Sequence, residues 1–122
     1  MSAEGKPLNK FLLRAVRAAQ DKKAVELALL DLKGVASFTD YFLICSGTSS
    51  RQIQAISDEI ELQLERAGLQ PLHTEGYNQA EWVLLDYVDF VVHIFAERAR
   101  QFYDLERLWR VARRFPVPED KR

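Results

Sequence analysis

The stretch from Glu81 to Phe95 restricts the chain most. Two runs, Glu81–Asp86 and Asp89–Phe95, contain no Gly or Pro, and flank Tyr87-Val88; both read as strands. Side chains alternate faces along a strand. One face therefore carries Val83 and Leu85 against Phe90, Val92 and Ile94, with no polar side-chain atom, and has to be core. The other carries Trp82, Leu84 and Asp86 beside Asp89, Val91 and His93. A large aromatic, two carboxylates and an imidazole make a mixed face, suited to a surface that is partly wet and open to a partner. If Tyr87 and Val88 form a two-residue turn, Asp86 lies opposite Asp89, Leu84 opposite Val91 and Trp82 opposite His93. Val88 strains that assignment, because such turns want positive φ and a β-branched residue resists it. A wider loop would slip this opposition, and a slip by a whole pair would still leave Trp82, Leu84 and Asp86 on one side.

An apolar strand pair needs a covering layer, and the flanking sequence supplies helices. Leu8, Phe11, Leu12, Ala15, Val16 and Ala19 keep helical spacing, with Lys10, Arg14 and Arg17 left for solvent. Val25–Leu32 and Tyr41–Cys45 read as strands joined through a hairpin-like loop at Gly34. Ser49 and Gln52 have capping-box spacing ahead of a long helix with an inner stripe of Ile53, Ile56, Ile60, Leu64 and Ala67. Gly68 suits the left-handed residue after that helix, and Pro71 prevents its resumption. Residues 71–74 offer a short strand. A last helix is expected over Arg98–Arg114, stopped by Pro116, with fraying beyond Phe115. At 122 residues and 48% apolar composition this is one α/β domain. Its core runs over about 8–114, between loose ends at 1–7 and 115–122.

Charge and cysteine content narrow the function classes. A net charge of −1 gives no long-range pull toward nucleic acid or an anionic membrane, so RNA contact needs a local basic patch. The single Cys45 sits within an apolar strand, which suggests a reducing compartment. No apolar run approaches the roughly 20 residues that span a bilayer, and no targeting signal is visible, so a cytoplasmic protein is expected. His73 has no Cys or second His at ligand spacing, and no metal or cofactor is expected. Ser46-Gly47-Thr48-Ser49-Ser50-Arg51 leads from a strand into a helix start and suits an anion chemically, although a capped helix start needs the same residues. Tyr103, Arg107, Arg110 and Arg114 line one stripe of the last helix. With Glu97, Asp104 and Glu106 beside them, they read as a salt-laced solvated face before they read as an RNA groove.

Three blocks carry a resemblance: D-Y-F-L-I-C-S-G-T-S-S-R-Q from Asp40, E-W-V-L-L-D-Y-V-D-F-V-V-H-I-F from Glu81, and F-Y-D-L-E-R-L-W from Phe102. Together they resemble the ribosomal silencing factor, or Iojap-like, family over nearly the whole chain. The resemblance implies a mixed sheet of about five strands flanked by helices, nucleotidyltransferase-like in fold. It also implies a non-enzymatic repressor that docks on the large ribosomal subunit through large-subunit ribosomal protein number fourteen and sterically blocks joining of the small subunit when nutrients are scarce. A minor ribosomal RNA contact and a homodimer are further partners it allows. Its partner-binding positions fall on Glu75, Gly76, Glu81, Trp82, Leu84, Asp86, Tyr87, Val88 and Asp89, and acidic groups there suit a basic protein. The family usually has Gly in place of Val88, near Ala80 and in place of Arg110, so the Val88 tip and the end of the last helix are where departures are expected. The alternatives are a nucleotidyltransferase using Asp86 and Asp89 and an RNA-binding module using the arginine stripe.

Overall fold

The computed structural model describes residues 9–120. The chain runs through α1 (Lys10–Asp21), β1 (Val25–Asp31), β2 (Tyr41–Gly47), α2 (Ser50–Arg66), β3 (His73–Glu75), β4 (Trp82–Asp86) and β5 (Phe90–Ala96). It finishes with α3 (Glu97–Tyr103), α4 (Leu105–Leu108) and β6 (Arg113–Phe115). One six-stranded mixed sheet results, in the order β3-β4-β5-β2-β1-β6. Only β2 and β5 pair in parallel, from Tyr41 opposite Phe90 to Gly47 opposite Ala96. A parallel pair needs a long crossover, and α2, β3 and β4 provide it.

The expected helices form for local reasons. Asn9 caps α1 by accepting the Phe11 and Leu12 N–H groups at 2.8 and 3.3 Å, while Leu8 lies outside the described residues. Ser49 Oγ accepts the Gln52 N–H at 3.1 Å, as the capping box predicts. The Gln52 side chain reaches Thr48 instead, taking its N–H at 2.6 Å and its hydroxyl at 3.0 Å. Ile53, Ile56, Ile60 and Leu64 are fully buried, so α2 seats the stripe that its spacing sets out. With α1 it covers one face of the sheet, packing on Leu43, Val83, Leu85, Val92 and Ile94.

The C-terminal region departs from the single helix expected over Arg98–Arg114. Asp104 adopts a left-handed conformation (φ 50) and splits the helix into α3 and α4. In an unbroken helix, residues 100 and 106 would stand about 240° apart around the axis. The break lets Arg100 donate from Nε and Nη2 to Glu106 at 3.2 and 2.9 Å, while Nη1 reaches Ser46 Oγ at 3.0 Å. A bidentate, largely buried pair of this kind outweighs the helical continuity it interrupts. The chain then turns at residues 109–112 and forms β6 antiparallel to β1, with Arg114 opposite Leu30. Arg107, Arg110 and Arg114 therefore do not form a helical stripe, and Arg110 does not lengthen the helix. The segment after β6 is docked, since Phe115 and Val117 pack against the main core and Gln20 donates to the Pro118 carbonyl at 2.7 Å.

The turn between β4 and β5 is wider than two residues. Asp86 pairs with Val91, Leu84 with His93 and Trp82 with Phe95, a slip of one whole pair that keeps every side chain on its expected face. Val88 sits at φ 74 at the centre of a three-residue γ-turn closed by Asp89 N–H to the Tyr87 carbonyl at 2.8 Å, a strained conformation for a β-branched residue. Asp86 Oδ1 accepts the Val88 N–H at 2.8 Å, and the Thr39 hydroxyl holds the Val88 carbonyl at 2.9 Å. Replacing Val88 with Gly should relieve this strain and stabilise the domain by about 1 kcal/mol. Gly76→Ala should cost about 2 kcal/mol or more, because Gly76 lies at φ 85 and an added Cβ would collide with the Trp82 carbonyl oxygen. Urea unfolding of both variants gives the sign and size.

Candidate functional site

Among the described residues the second face of the sheet is covered by the short α3 and α4 with Ala36 and the turn carrying Trp109 and Ala112, and this leaves Trp82 and Leu84 on β4 partly open. Ala28, Leu30, Phe42, Ile44, Val91 and Phe95 form its buried floor, with Trp82, Leu84 and Trp109 only partly buried at the margin. Trp82 is the centre of an aromatic group that the sequence shows only in pieces. Its ring lies 5.0 Å from Phe95 and 4.6 Å from Tyr103, while Trp109 stands 6.0 Å from both Phe42 and Phe38. Phe38, Phe102 and Tyr103 are exposed. Alternation along β4 and β5 identifies Trp82 and Leu84 but not Phe38 or Tyr103, which other elements bring to the same place. The F-Y-D-L-E-R-L-W block is the sequence signal for the latter.

The nine residues expected at the partner surface fall into four groups. Trp82, Leu84 and Asp86 share one face, half-buried, and Glu75, Glu81, Val88 and Asp89 are exposed around it and at the tip. Asp86 has a structural duty there, since it caps the tip through the Val88 N–H. Gly76 accommodates the close approach of the Trp82 backbone. Tyr87 is the correction: it is 3% exposed, with its ring stacked 5.2 Å from Phe90 in the opposite core. Burial and nearby Glu61 push its phenol well above the usual range. It holds the tip from beneath and offers no open contact.

His93 is 4% exposed, and its Nδ1 accepts the Trp82 indole N–H at 3.0 Å. That bond places the imidazole proton on Nε2, which meets no hydrogen-bond partner and sits among rings, with Phe42 edge-on at 4.4 Å. Burial drives its pKa down from 6.5 to about 3, so the imidazole is a packed, neutral acceptor that orients Trp82. Among the described residues no group of three His, Cys, Asp or Glu could hold a metal ion.

The glycine turn after β2 is a capped helix start. Donors of Thr48 and Gln52 are taken up internally, and the Gln52 amide holds the Lys22 and Lys23 carbonyls at 3.1 and 2.9 Å. A cleft of about 330 Å³ opens beside it, lined in part by Ser50, Glu81, Glu97 and Arg98. Two carboxylates facing one arginine do not select an anion.

A pH dependence follows from His93. Because its folded pKa lies below its unfolded value, stability is fully present above pH 6.5 and falls as pH drops toward 3, where the unfolded chain alone takes up the proton. Between pH 7 and pH 5 this amounts to about 2 kcal/mol. In His93→Asn, which has nothing to titrate, that decline should vanish in urea titrations at the two pH values, even if the variant starts less stable.

Residues 6–122 match the sequence model of the family described as ribosomal silencing factor during starvation. The chain is 45% identical over 102 residues to the ribosomal silencing factor of Halalkalibacterium halodurans, covering 83% of this chain and 87% of that one. It is also 45% identical over 95 residues to that of Bacillus subtilis, covering 78% and 80%. The crystal structure of a Chromobacterium violaceum protein superposes with a TM-score of 0.82 at 28% identity, over 96% of this chain and 94% of that one. This chain belongs to the ribosomal silencing factor family.

Proposed function

We infer that this protein is a cytoplasmic repressor that binds the large ribosomal subunit through large-subunit ribosomal protein number fourteen and blocks joining of the small subunit by its bulk. The observation that carries this reading is the half-buried Trp82 and Leu84 at the open side of the sheet, bordered by the acidic groups Glu75, Glu81 and Asp89. An aromatic anchor held in place by a hydrogen bond and ringed by polar groups has the make-up of an interface hot spot, because little ordering entropy is left to lose on binding. The carboxylates suit a basic ribosomal protein and would steer its approach. Steric exclusion needs no catalytic group, which fits a site made of packing and charge.

A homodimer is the other association that membership implies. The β3 edge is exposed along its three residues and leaves backbone groups that a second copy can pair with; light scattering over a concentration series would read dimer mass or rule it out.

Trp82→Ala should weaken binding to purified large subunits by about 2 kcal/mol, roughly 30-fold. Asp89→Lys, whose side chain has no structural partner among the described residues, should weaken it through charge alone. Cosedimentation and a subunit-joining assay measure both effects. If the two variants still block joining at wild-type potency, the reading fails.

A further inference from the structure

The net charge of −1 conceals a separation of charge across the fold. Residues 58–89 hold eight Asp and Glu against Arg66 alone, net −7, while the rest of the chain holds sixteen Lys and Arg against ten Asp and Glu, net +6. The acidic stretch comprises the second half of α2 together with β3, β4 and the β4–β5 tip, so it occupies one end of the sheet. Tyr77 joins those parts by donating to Asp58 on α2 at 3.1 Å.

The cations gather at the other end. Lys10, Arg14 and Arg17 recur at helical spacing along the exposed side of α1, and Arg107, Arg110 and Arg113 are exposed on α4, the following turn and β6. The Gln20 contact to Pro118 ties α1 to the segment leaving β6, so the two sets belong to the same β1–β6 end. None of these six cations makes an ion pair among the described residues. Glu106 is taken by Arg100 and Arg114, and their guanidinium groups hold its carboxyl below the usual range. Of the salt-laced face expected from the sequence, only the Arg114–Glu106 pair forms among the described residues, at 3.6 Å; Glu106 is otherwise held by Arg100, and Arg107 and Arg110 make no ion pair among those residues.

We propose that the β1–β6 end, with α1, is a second contact surface that binds the phosphate backbone of ribosomal RNA while the acidic end holds a basic protein. Five of its six cations are arginines, whose planar forks match phosphate oxygens. The two ends then ask for opposite partners, which sets the orientation of the domain on a particle made of both RNA and basic protein. This inference rests on the docking proposed above in taking the large ribosomal subunit as the particle and a basic protein as the partner of the acidic end.

The test is binding of the full chain to intact large subunits, to protein-free large-subunit RNA and to isolated large-subunit ribosomal protein number fourteen, over a series of KCl concentrations. In the combined variant Arg14→Gln, Arg17→Gln, Arg110→Gln, Arg113→Gln, affinity for subunits and for bare RNA should fall about tenfold or more. The slope of log affinity against log salt should flatten by up to about 3, at roughly 0.7–0.9 per phosphate contact. Affinity for the isolated protein should not change. The matching Lys variant should restore most of the slope and, with an unchanged thermal melt, exclude a folding defect. An unchanged slope, or an equal loss on the isolated protein, overturns the proposal. Failure of the docking reading is separately visible, as Trp82→Ala leaving binding to the isolated protein intact.

Discussion

Seven residues of β2 run parallel to seven of β5, and both strands are buried nearly end to end. Two strands apolar on both sides cannot face water on either, so each face of the sheet has to be covered. The long α2 and α1 cover one face fully. Among the described residues the only helices on the other are the seven-residue α3 and the four-residue α4, too short to roof β4 as well as β5, β2 and β1. The open margin at Trp82 and Leu84 follows from that shortage of cover.

Arg100 sets how the shorter cover lies. Buried to within 8% of full enclosure, it joins Ser46 at the end of β2 to Glu106 at the start of α4. A buried guanidinium is stable only when its donors are met, and meeting them requires the left-handed turn at Asp104. The same turn sends the chain back across the sheet to lay β6 on β1. One ion pair thus links the end of the parallel pair, the break in the helix and the sixth strand, while Arg107, Arg110 and Arg113 make no ion pair among the described residues.

Trp82 shows how packing prepares a surface. Its indole N–H is held by a His93 that burial keeps neutral, and its ring is flanked by Phe95 and Tyr103. The side chain is fixed before any partner arrives, and the acidic tip beside it is fixed by Asp86, Thr39 and the γ-turn at Val88. Rigidity of this kind lowers the ordering cost of association.

What the sequence determined by itself was the periodic part: the α2 stripe Ile53, Ile56, Ile60 and Leu64, and the facing of Trp82, Leu84 and Asp86 away from Val83 and Leu85. Those patterns depend only on 3.6-residue and 2-residue repeats, and they survived even the slip in register at the tip. The family was legible too, because long ordered blocks carry it. Tertiary structure alone decided that Arg98–Arg114 would not remain a helix, that Arg113–Phe115 would become a strand, and that Tyr87 would turn inward. An Arg-rich segment has good helical propensity, and only a free edge on β1 and a buried carboxylate partner for Arg100 outweigh it. The division of the molecule into an acidic end and a basic end has the same origin, since charges far apart in the chain acquire a common side only when the sheet brings them there.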